Sequence, residues 1–192
     1  MKKEIIGVTG PIHAGKSSVS NYLAQKGFSL FDADKEAHAF YGTNEGKDVL
    51  INIFGTDVIS SGEIDFSFLR KAVASNHNKK KELESAVFSY VLSRAKDYIE
   101  QHKDDNIVLD VPLLLDAHME VLCTHIILVE SNLDNRKARI ESEGKDPSSL
   151  LTINANYPLE ETSKIADFRI QNDGNLHELH EKIDKLLFTI AQ

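Results

Sequence analysis

Residues 5–17 read IIGVTGPIHAGKS, and this stretch decides how the chain folds. It opens with a short β-branched apolar run and ends in Gly10-Pro11-Ile12-His13-Ala14-Gly15-Lys16-Ser17, which matches G-x-x-x-x-G-K-[ST]. Apolar residues at helical spacing follow, so the motif lies between a strand and a helix, as a phosphate-binding loop requires. Glycines at both ends let the backbone wrap around a phosphate, while N–H groups and the helix N-terminus supply positive potential.

The spacing of this loop predicts a nucleotide site built from residues 10–17 together with Ser18. We expect Lys16 to bridge the terminal phosphates of ATP and the Ser17 hydroxyl to bind Mg²⁺. The alternative is a glycine turn that only caps a helix. His13 and Pro11 stand where small residues are common, but histidine tolerates positive φ, so the loop conformation is not excluded.

Strand and helix signals alternate along the rest of the chain. Short apolar runs predict four further strands around residues 28–31, 107–109, 125–129 and 168–170. The runs are continuous rather than alternating, as expected of strands covered on both faces. The pattern predicts an α/β fold, a five-stranded parallel sheet in three layers, and one domain over residues 1–192.

Two segments depart from this alternation. Residues 43–102 lack a clear strand signal and look helical, which suggests an insertion that binds the acceptor substrate. Residues 132–161 are polar and charged, with breaks at Pro147 and Pro158, which suits a lid better than core.

Two carboxylates follow predicted strands, at the sheet edge where open α/β sheets bind ligands. Asp34, in Asp32-Ala33-Asp34, is placed either to take a proton from a substrate hydroxyl or to cap a helix, and the sequence leaves both open. Asp110 ends the third strand, where a second Mg²⁺-binding carboxylate is found in phosphate-loop proteins, although a cap or turn role is the alternative.

Arg136 and Arg139 are spaced i, i+3 on a predicted helix and can therefore point the same way. After the fourth strand this arrangement suits contact with a nucleotide, and a solvated helix face is the alternative.

Composition narrows the possible partners. The formal net charge of −8 argues against a general nucleic-acid binder, since such proteins need a basic face. No apolar stretch approaches the roughly 18 residues of a membrane span, so no membrane partner is expected. A single cysteine, Cys123, cannot form an internal disulfide, and together with the missing signal-peptide pattern it predicts a cytoplasmic protein.

Several collinear motifs resemble the dephospho-coenzyme A kinase family. They span nearly the whole chain, and the DAD and DVPLL segments are more specific than the phosphate loop. The matching pieces are residues 7–17, Asp32-Ala33-Asp34, Phe54-Gly55, residues 61–65 (SGEID), residues 110–116 (DVPLLLD) and residues 166–174 (ADFRIQNDG).

The resemblance implies a nucleoside-kinase-like core with a helical CoA domain and a lid. It further implies transfer of the γ-phosphoryl group of ATP to the 3′-hydroxyl of dephospho-CoA, a small-molecule acceptor, in the last step of coenzyme A synthesis. Asp34 would be the base on that hydroxyl, with Lys16 and Asp110 completing the catalytic set. Arg139, Asn172 and Gly174 would contact the nucleotide.

The chain also departs from the family pattern, mainly at cationic positions of the acceptor site and the lid. Lys137 or Lys145 could replace a lid arginine as a point charge, though not as a bidentate group. His38, Phe66 and Glu143 stand where arginine is usual, Phe88-Ser89 replaces a His-Pro pair, and Thr152 and Asn156 replace a later arginine and glutamine.

Three functions are consistent with these observations. The first is a divergent dephospho-CoA kinase, and the second is a related kinase with a different acceptor, because the acceptor-side residues changed most. The third is a nucleotide-binding protein with little catalysis, which the missing arginines favour and the retained Asp34 opposes.

Overall fold

The computed structural model describes residues 3–148 and 157–192. Two compact units make up the chain. Met1–Asp32 together with Tyr98–Gln192 forms the first, here called the sheet unit, and Ala33–Asp97 forms the second, the helical unit.

Five parallel strands form the predicted sheet, in the order β2-β5-β1-β6-β7. Each of the five predicted strand positions is confirmed to within about two residues. A short antiparallel hairpin, β3-β4, belongs to the helical unit. The strands are β1 (Ile5–Thr9), β2 (Ser29–Asp32), β3 (Ile59–Ser60), β4 (Glu63–Ile64), β5 (Ile107–Asp110), β6 (His125–Glu130) and β7 (Phe168–Gln171).

Helices connect the strands, and helix labels below follow chain order through the described residues. They are α1 (Lys16–Gln25), α2 (Ala33–Phe40), α3 (Asn44–Phe54), α4 (Phe66–Ser75), α5 (His77–Gln101), α6 (Leu133–Ser142), α7 (Leu159–Ile165) and α8 (Leu176–Ile190). Single 3-10 turns lie at Thr56–Val58 and Glu120–Leu122. No described helix is long and apolar enough to cross a membrane.

The core of the sheet unit lies where α1 and α8 cover the sheet. Val8, Val108 and Ile127 are fully buried there, and the apolar stripe of α8 packs against them. Burying one such side chain contributes roughly 1.5–3 kcal/mol. The opposite face is also covered, since Leu109 and Leu128 are fully buried as well, which explains why the strands are apolar throughout.

The helical unit holds its own apolar cluster around Phe40, Leu50 and Val58. It begins and ends earlier than the 43–102 segment predicted from sequence, and it contains the β3-β4 hairpin where no strand was predicted. The hairpin turns at Ser61 (φ 52°) and Gly62 (φ 83°), two positive-φ residues as in a type I′ turn. Strands of two residues are too short for hydrophobic alternation to reveal them.

Candidate active site

The phosphate loop joins β1 to α1 and adopts a conformation that depends on its glycines. Gly10 has φ 147° and Gly15 φ 102°, both outside the range that side chains favour. A Cβ on Gly10 would collide with the carbonyl oxygen of Val129, and one on Gly15 with the side-chain amide of Asn172. His13 takes φ 55°, the left-handed conformation that histidine was expected to tolerate.

Lys16 and Ser17 open α1 at the end of the loop, with Gly15 in the N-cap position. The Lys16 ammonium donates to the carbonyl oxygens of Gly10 and Pro11, each at 3.0 Å, so the side chain folds back across the loop. Free N–H groups of a helix's first turn carry partial positive charge. This arrangement places a cation and helix N–H groups around one anion-sized space.

Arg136 and Arg139 both reach the phosphate loop from α6, so the solvated-face alternative is wrong for this pair. Arg136 Nε donates to Ile12 O at 2.8 Å, and Arg139 Nη1 donates to His13 O at 2.9 Å and Ala14 O at 3.0 Å. Both guanidiniums therefore hold the loop by its backbone carbonyls. Burial lowers the pKa of Arg136, although it stays a cation.

Asn172 holds the same loop from the end of β7. Its side-chain amide is buried and donates to Ala14 O at 2.8 Å, while its own carbonyl accepts from Arg139 Nη2 at 2.7 Å. The loop is thus tied to α6 and to β7 by hydrogen bonds between segments distant in sequence.

An open cleft of about 320 Å³ lies beside this network. Asp173 on its wall accepts from the Asn132 N–H at 2.7 Å and from Ser131 Oγ at 2.9 Å, and hydrogen bonds lower its pKa to about 2. The cleft is lined by Asn135, Ala138, Arg139, Ser142, Asp173 and Gly174.

Asp110 lies at the sheet edge from which the loop departs. It ends β5 and is paired in register with Val8 of β1 on one side and Asp32 of β2 on the other. Asp34 follows two residues later in the first turn of α2, where the helical unit begins. Because α2 starts at Ala33, the N-cap position falls to Asp32 rather than to Asp34.

The donor set at this edge suits Mg²⁺. The ion prefers one or two protein oxygens completed by water and substrate phosphates. Ser17 supplies a hydroxyl and Asp110 a carboxylate, both hard oxygen donors. Among the described residues, no cluster of three or more His, Cys, Asp or Glu forms a separate metal site.

Two further contacts to the loop region were not predicted from sequence. Tyr157 OH lies 3.2 Å from Thr9 Oγ1, just before the loop, and burial raises the pKa of Tyr157. His13 Nδ1 lies 3.3 Å from Glu143 Oε1. Partners separated by well over 100 positions leave no periodic or motif signal in a single sequence.

The helical unit contains a groove of about 380 Å³. Ser89, one of the residues that depart from the family pattern, lies on its wall, while Phe66 is half exposed and contacts the ring of Tyr41. Thr152 and Asn156 lie outside the described residues. The groove is lined by Phe40, Glu45, Val49, Ala86, Ser89, Tyr90, Ser93, Arg94 and Asp97.

Comparisons with known proteins identify the family. A sequence model of the family described as dephospho-CoA kinase matches residues 4–178. The dephospho-CoA kinase of Fusobacterium nucleatum is 34% identical, covering 97% of this chain and 98% of its own. That of Carboxydothermus hydrogenoformans is also 34% identical, covering 95% and 92%.

Solved structures show the same fold. A protein from Thermus thermophilus superposes with TM-score 0.82 at 26% identity, covering 98% of both chains. A shikimate kinase from Acinetobacter baumannii, at 17% identity, superposes with TM-score 0.57, covering 98% of this chain and 94% of its own, and shares the fold alone. The family match spans both units and the phosphate loop, and the chain therefore belongs to the dephospho-CoA kinase family.

Proposed function

We propose that this protein transfers the γ-phosphoryl group of ATP to the 3′-hydroxyl of dephospho-CoA. The observation that carries the proposal is the family match over residues 4–178, which includes the phosphate loop, Asp34 and Asp110. The loop geometry supports it, because Arg136, Arg139 and Asn172 hold the loop by its carbonyls at the N-terminus of α1, where helix N–H groups favour phosphate.

The nucleotide is expected to place its phosphates in the loop, against backbone N–H groups at the N-terminus of α1. Lys16 then exchanges its two carbonyl partners for phosphate oxygens, and the base and ribose take the cleft beside Arg139 and Gly174. Mg²⁺ would be held by Ser17 and Asp110, and when bound it neutralises charge on the phosphates.

Asp34 is the residue we assign to the acceptor. Its carboxylate accepts the proton of the 3′-hydroxyl as the oxygen bonds to the γ-phosphorus and the bond to the β-phosphate oxygen breaks, releasing ADP. Asp34 stands at the second position of α2, within the first turn of that helix.

The groove of the helical unit is our candidate for the rest of the acceptor. Phe40, Val49 and Ala86 offer an apolar surface, while Ser89 and Tyr90 offer hydroxyls, which together suit the methyl and amide groups of a pantetheine arm. Arg94 supplies a cation at the rim for the acceptor's pyrophosphate. We also propose that residues 132–161 cover the nucleotide site as a lid, with α6 already held on the phosphate loop by Arg136 and Arg139.

The acceptor and ATP are small soluble metabolites, so we place the protein in the cytoplasm with a small molecule, rather than nucleic acid or membrane, as its partner. A single free cysteine suits that reducing compartment. Burial raises the pKa of the Cys123 thiol to about 12, so it is not a reactive nucleophile.

The deciding experiment incubates the protein with Mg²⁺-ATP and dephospho-CoA and identifies the product by mass. We expect one added phosphate, located on the 3′-oxygen by fragmentation. Transfer to another hydroxyl compound, with none to dephospho-CoA, would support the different-acceptor hypothesis that His38 and Phe66 motivate. ATP binding without transfer to any acceptor would support a nucleotide-binding role.

A further inference from the structure

Three side chains meet where α6 ends beside the phosphate loop. Glu143 Oε2 lies 2.6 Å from Lys145 Nζ, and Glu143 Oε1 lies 3.3 Å from His13 Nδ1. The side chain of His13, within the loop, is 14% exposed, whereas that of Lys145 is 55% exposed. One carboxylate therefore links the loop to a cation at the solvent edge of the site.

The backbone that carries this cluster is held by a helix cap. Gly144, at φ 71°, donates to Glu141 O at 2.9 Å, and Lys145 N donates to Ile140 O at 3.2 Å. This is the pair of bonds of a Schellman motif, which needs a left-handed residue such as glycine at the first position beyond the cap. Ile140 is fully buried, so the cap is anchored in the core.

The helix itself is fixed to the loop one turn earlier. Arg139 and Arg136 bind loop carbonyls, as described above, so the C-terminal end of α6 follows the loop. The position of Lys145 is thus set by three successive constraints: the arginine contacts, the helix cap and the Glu143 carboxylate.

Lys145 is the cation that contacts Glu143, and its charge also acts on His13. Burial lowers the pKa of His13, Glu143 opposes that shift, and Lys145, Lys16 and Arg136 add to it. The lowered pKa favours the neutral imidazole. The hydrogen bond from Lys145 lowers the pKa of Glu143, which keeps the carboxylate ionised.

We propose that Glu143 is a positioning residue that holds the Lys145 ammonium beside the phosphate loop, where Lys145 stabilises negative charge on the transferring phosphoryl group. The inference rests on the proposed function. It explains how a carboxylate is tolerated where the family usually has arginine. An unpaired Glu143 would repel the phosphates, whereas the Lys145 ammonium places a positive charge beside them.

Steady-state kinetics with Mg²⁺-ATP and dephospho-CoA test the proposal. We expect Lys145→Ala to lower kcat by about tenfold or more, and Lys145→Arg to restore most of it. Glu143→Gln should lower kcat less, and it should cause no further loss in the Lys145→Ala background, because a positioning residue acts only through its partner. A kcat of Lys145→Ala equal to that of the parent would overturn the proposal, as would additive losses.

Two control variants test whether the loss of kcat is specific to Lys145. Lys26 also pairs with a carboxylate, Asp184, at 2.8 Å, but it lies at the opposite end of α1, about 15 Å along the helix from Lys16. Lys26→Ala should leave kcat unchanged. Lys137→Ala tests the other lysine of α6, and a loss of kcat there in place of Lys145→Ala would transfer the role to Lys137.

A second measurement needs no phosphoryl transfer. In an NMR titration of the imidazole, Glu143→Gln should lower the pKa of His13 and Lys145→Ala should raise it, and unchanged values would show that the cluster does not form. If the parent transfers nothing to dephospho-CoA, the proposed function fails. The inference is then tested by the affinity for Mg²⁺-ATP, which Lys145→Ala should weaken several-fold. An affinity equal to that of the parent would overturn the inference.

Discussion

The sheet unit and the helical unit hold their polar groups in different ways. In the sheet unit the Asn172 amide is only 7% exposed, and Arg139 donates to three backbone carbonyls. In the helical unit Arg94 is 46% exposed and pairs with Glu36 at 3.1 Å and Asp97 at 3.9 Å. The fold of the helical unit is supported by apolar packing around Phe40.

This contrast indicates where the chain tolerates substitutions. Removing one partner of a buried hydrogen bond leaves the other unsatisfied, at a cost of about 1–3 kcal/mol, whereas an exposed ion pair contributes about 0–1 kcal/mol. The helical unit can therefore exchange surface charges without unfolding. His38 and Phe66, which replace residues usual in the family, both lie in that unit.

A large loss of activity is expected from the loop. Lys16→Ala should reduce phosphoryl transfer by about 10²–10³-fold or more, because the lysine charge acts on phosphates whose charge grows toward the transition state. The melting temperature should stay close to that of the parent. Equal turnover in the two proteins would contradict the loop assignment.

Asp34→Asn tests the carboxylate that we assign to the acceptor hydroxyl. It should lower kcat by about 10²–10⁴-fold while ATP affinity changes little, since asparagine keeps the shape but cannot accept the proton. Calorimetric titration with ATP and a thermal melt provide the controls. Retained specific activity with lost thermal stability would assign Asp34 to the helix start alone.

Asn172→Ala examines the buried network directly. The loss of the bond to Ala14 should reduce the free energy of unfolding by about 1–3 kcal/mol in a urea titration and raise the KM for ATP. Asn52→Ala, an exposed asparagine of the helical unit, is the matched control, with a change within about 0.5 kcal/mol. Similar effects for both variants would contradict the contrast between the units.

Arg94→Ala, in the helical unit, is expected to weaken acceptor binding without reducing stability. The KM for dephospho-CoA should rise several-fold, while the KM for ATP and the free energy of unfolding hardly change, because the ion pairs are exposed. Arg70→Ala, on α4 and also exposed, serves as the control. An unchanged KM for dephospho-CoA would remove Arg94 from the acceptor site.

The smallest effect concerns acid stability. Hydrogen bonds, that of the Asn132 N–H foremost, lower the pKa of Asp173 from 3.8 to about 2. A carboxyl group whose pKa is lower in the folded state stabilises above its unfolded pKa, and that contribution is lost as the pH falls from about 4 to about 2. Asp173→Asn should flatten the decline of stability in this window, measured by urea unfolding at each pH.

Some elements of the structure were predicted from the sequence and others were missed. The five strands were predicted because continuous apolar runs are a local property of the chain. The β3-β4 hairpin was missed because two-residue strands carry no periodicity. The helical unit begins at Ala33, ten residues before the predicted insertion, because α2 (Ala33–Phe40) follows β2 without a break. Arg139 was placed at the nucleotide, but its three carbonyl bonds were not foreseen.

Local sequence is sufficient to specify the phosphate loop, since glycine spacing, Lys16 and Ser17 act within one short segment between a strand and a helix. The contacts that hold the loop come from folding, because Asn172 and Ala14 are 158 positions apart and Arg139 lies 125 positions from the same carbonyl. Folding also decides that Glu143 faces His13 and Lys145. Such contacts depend on how the sheet and helices pack, and packing is a property of the whole chain rather than of a local pattern.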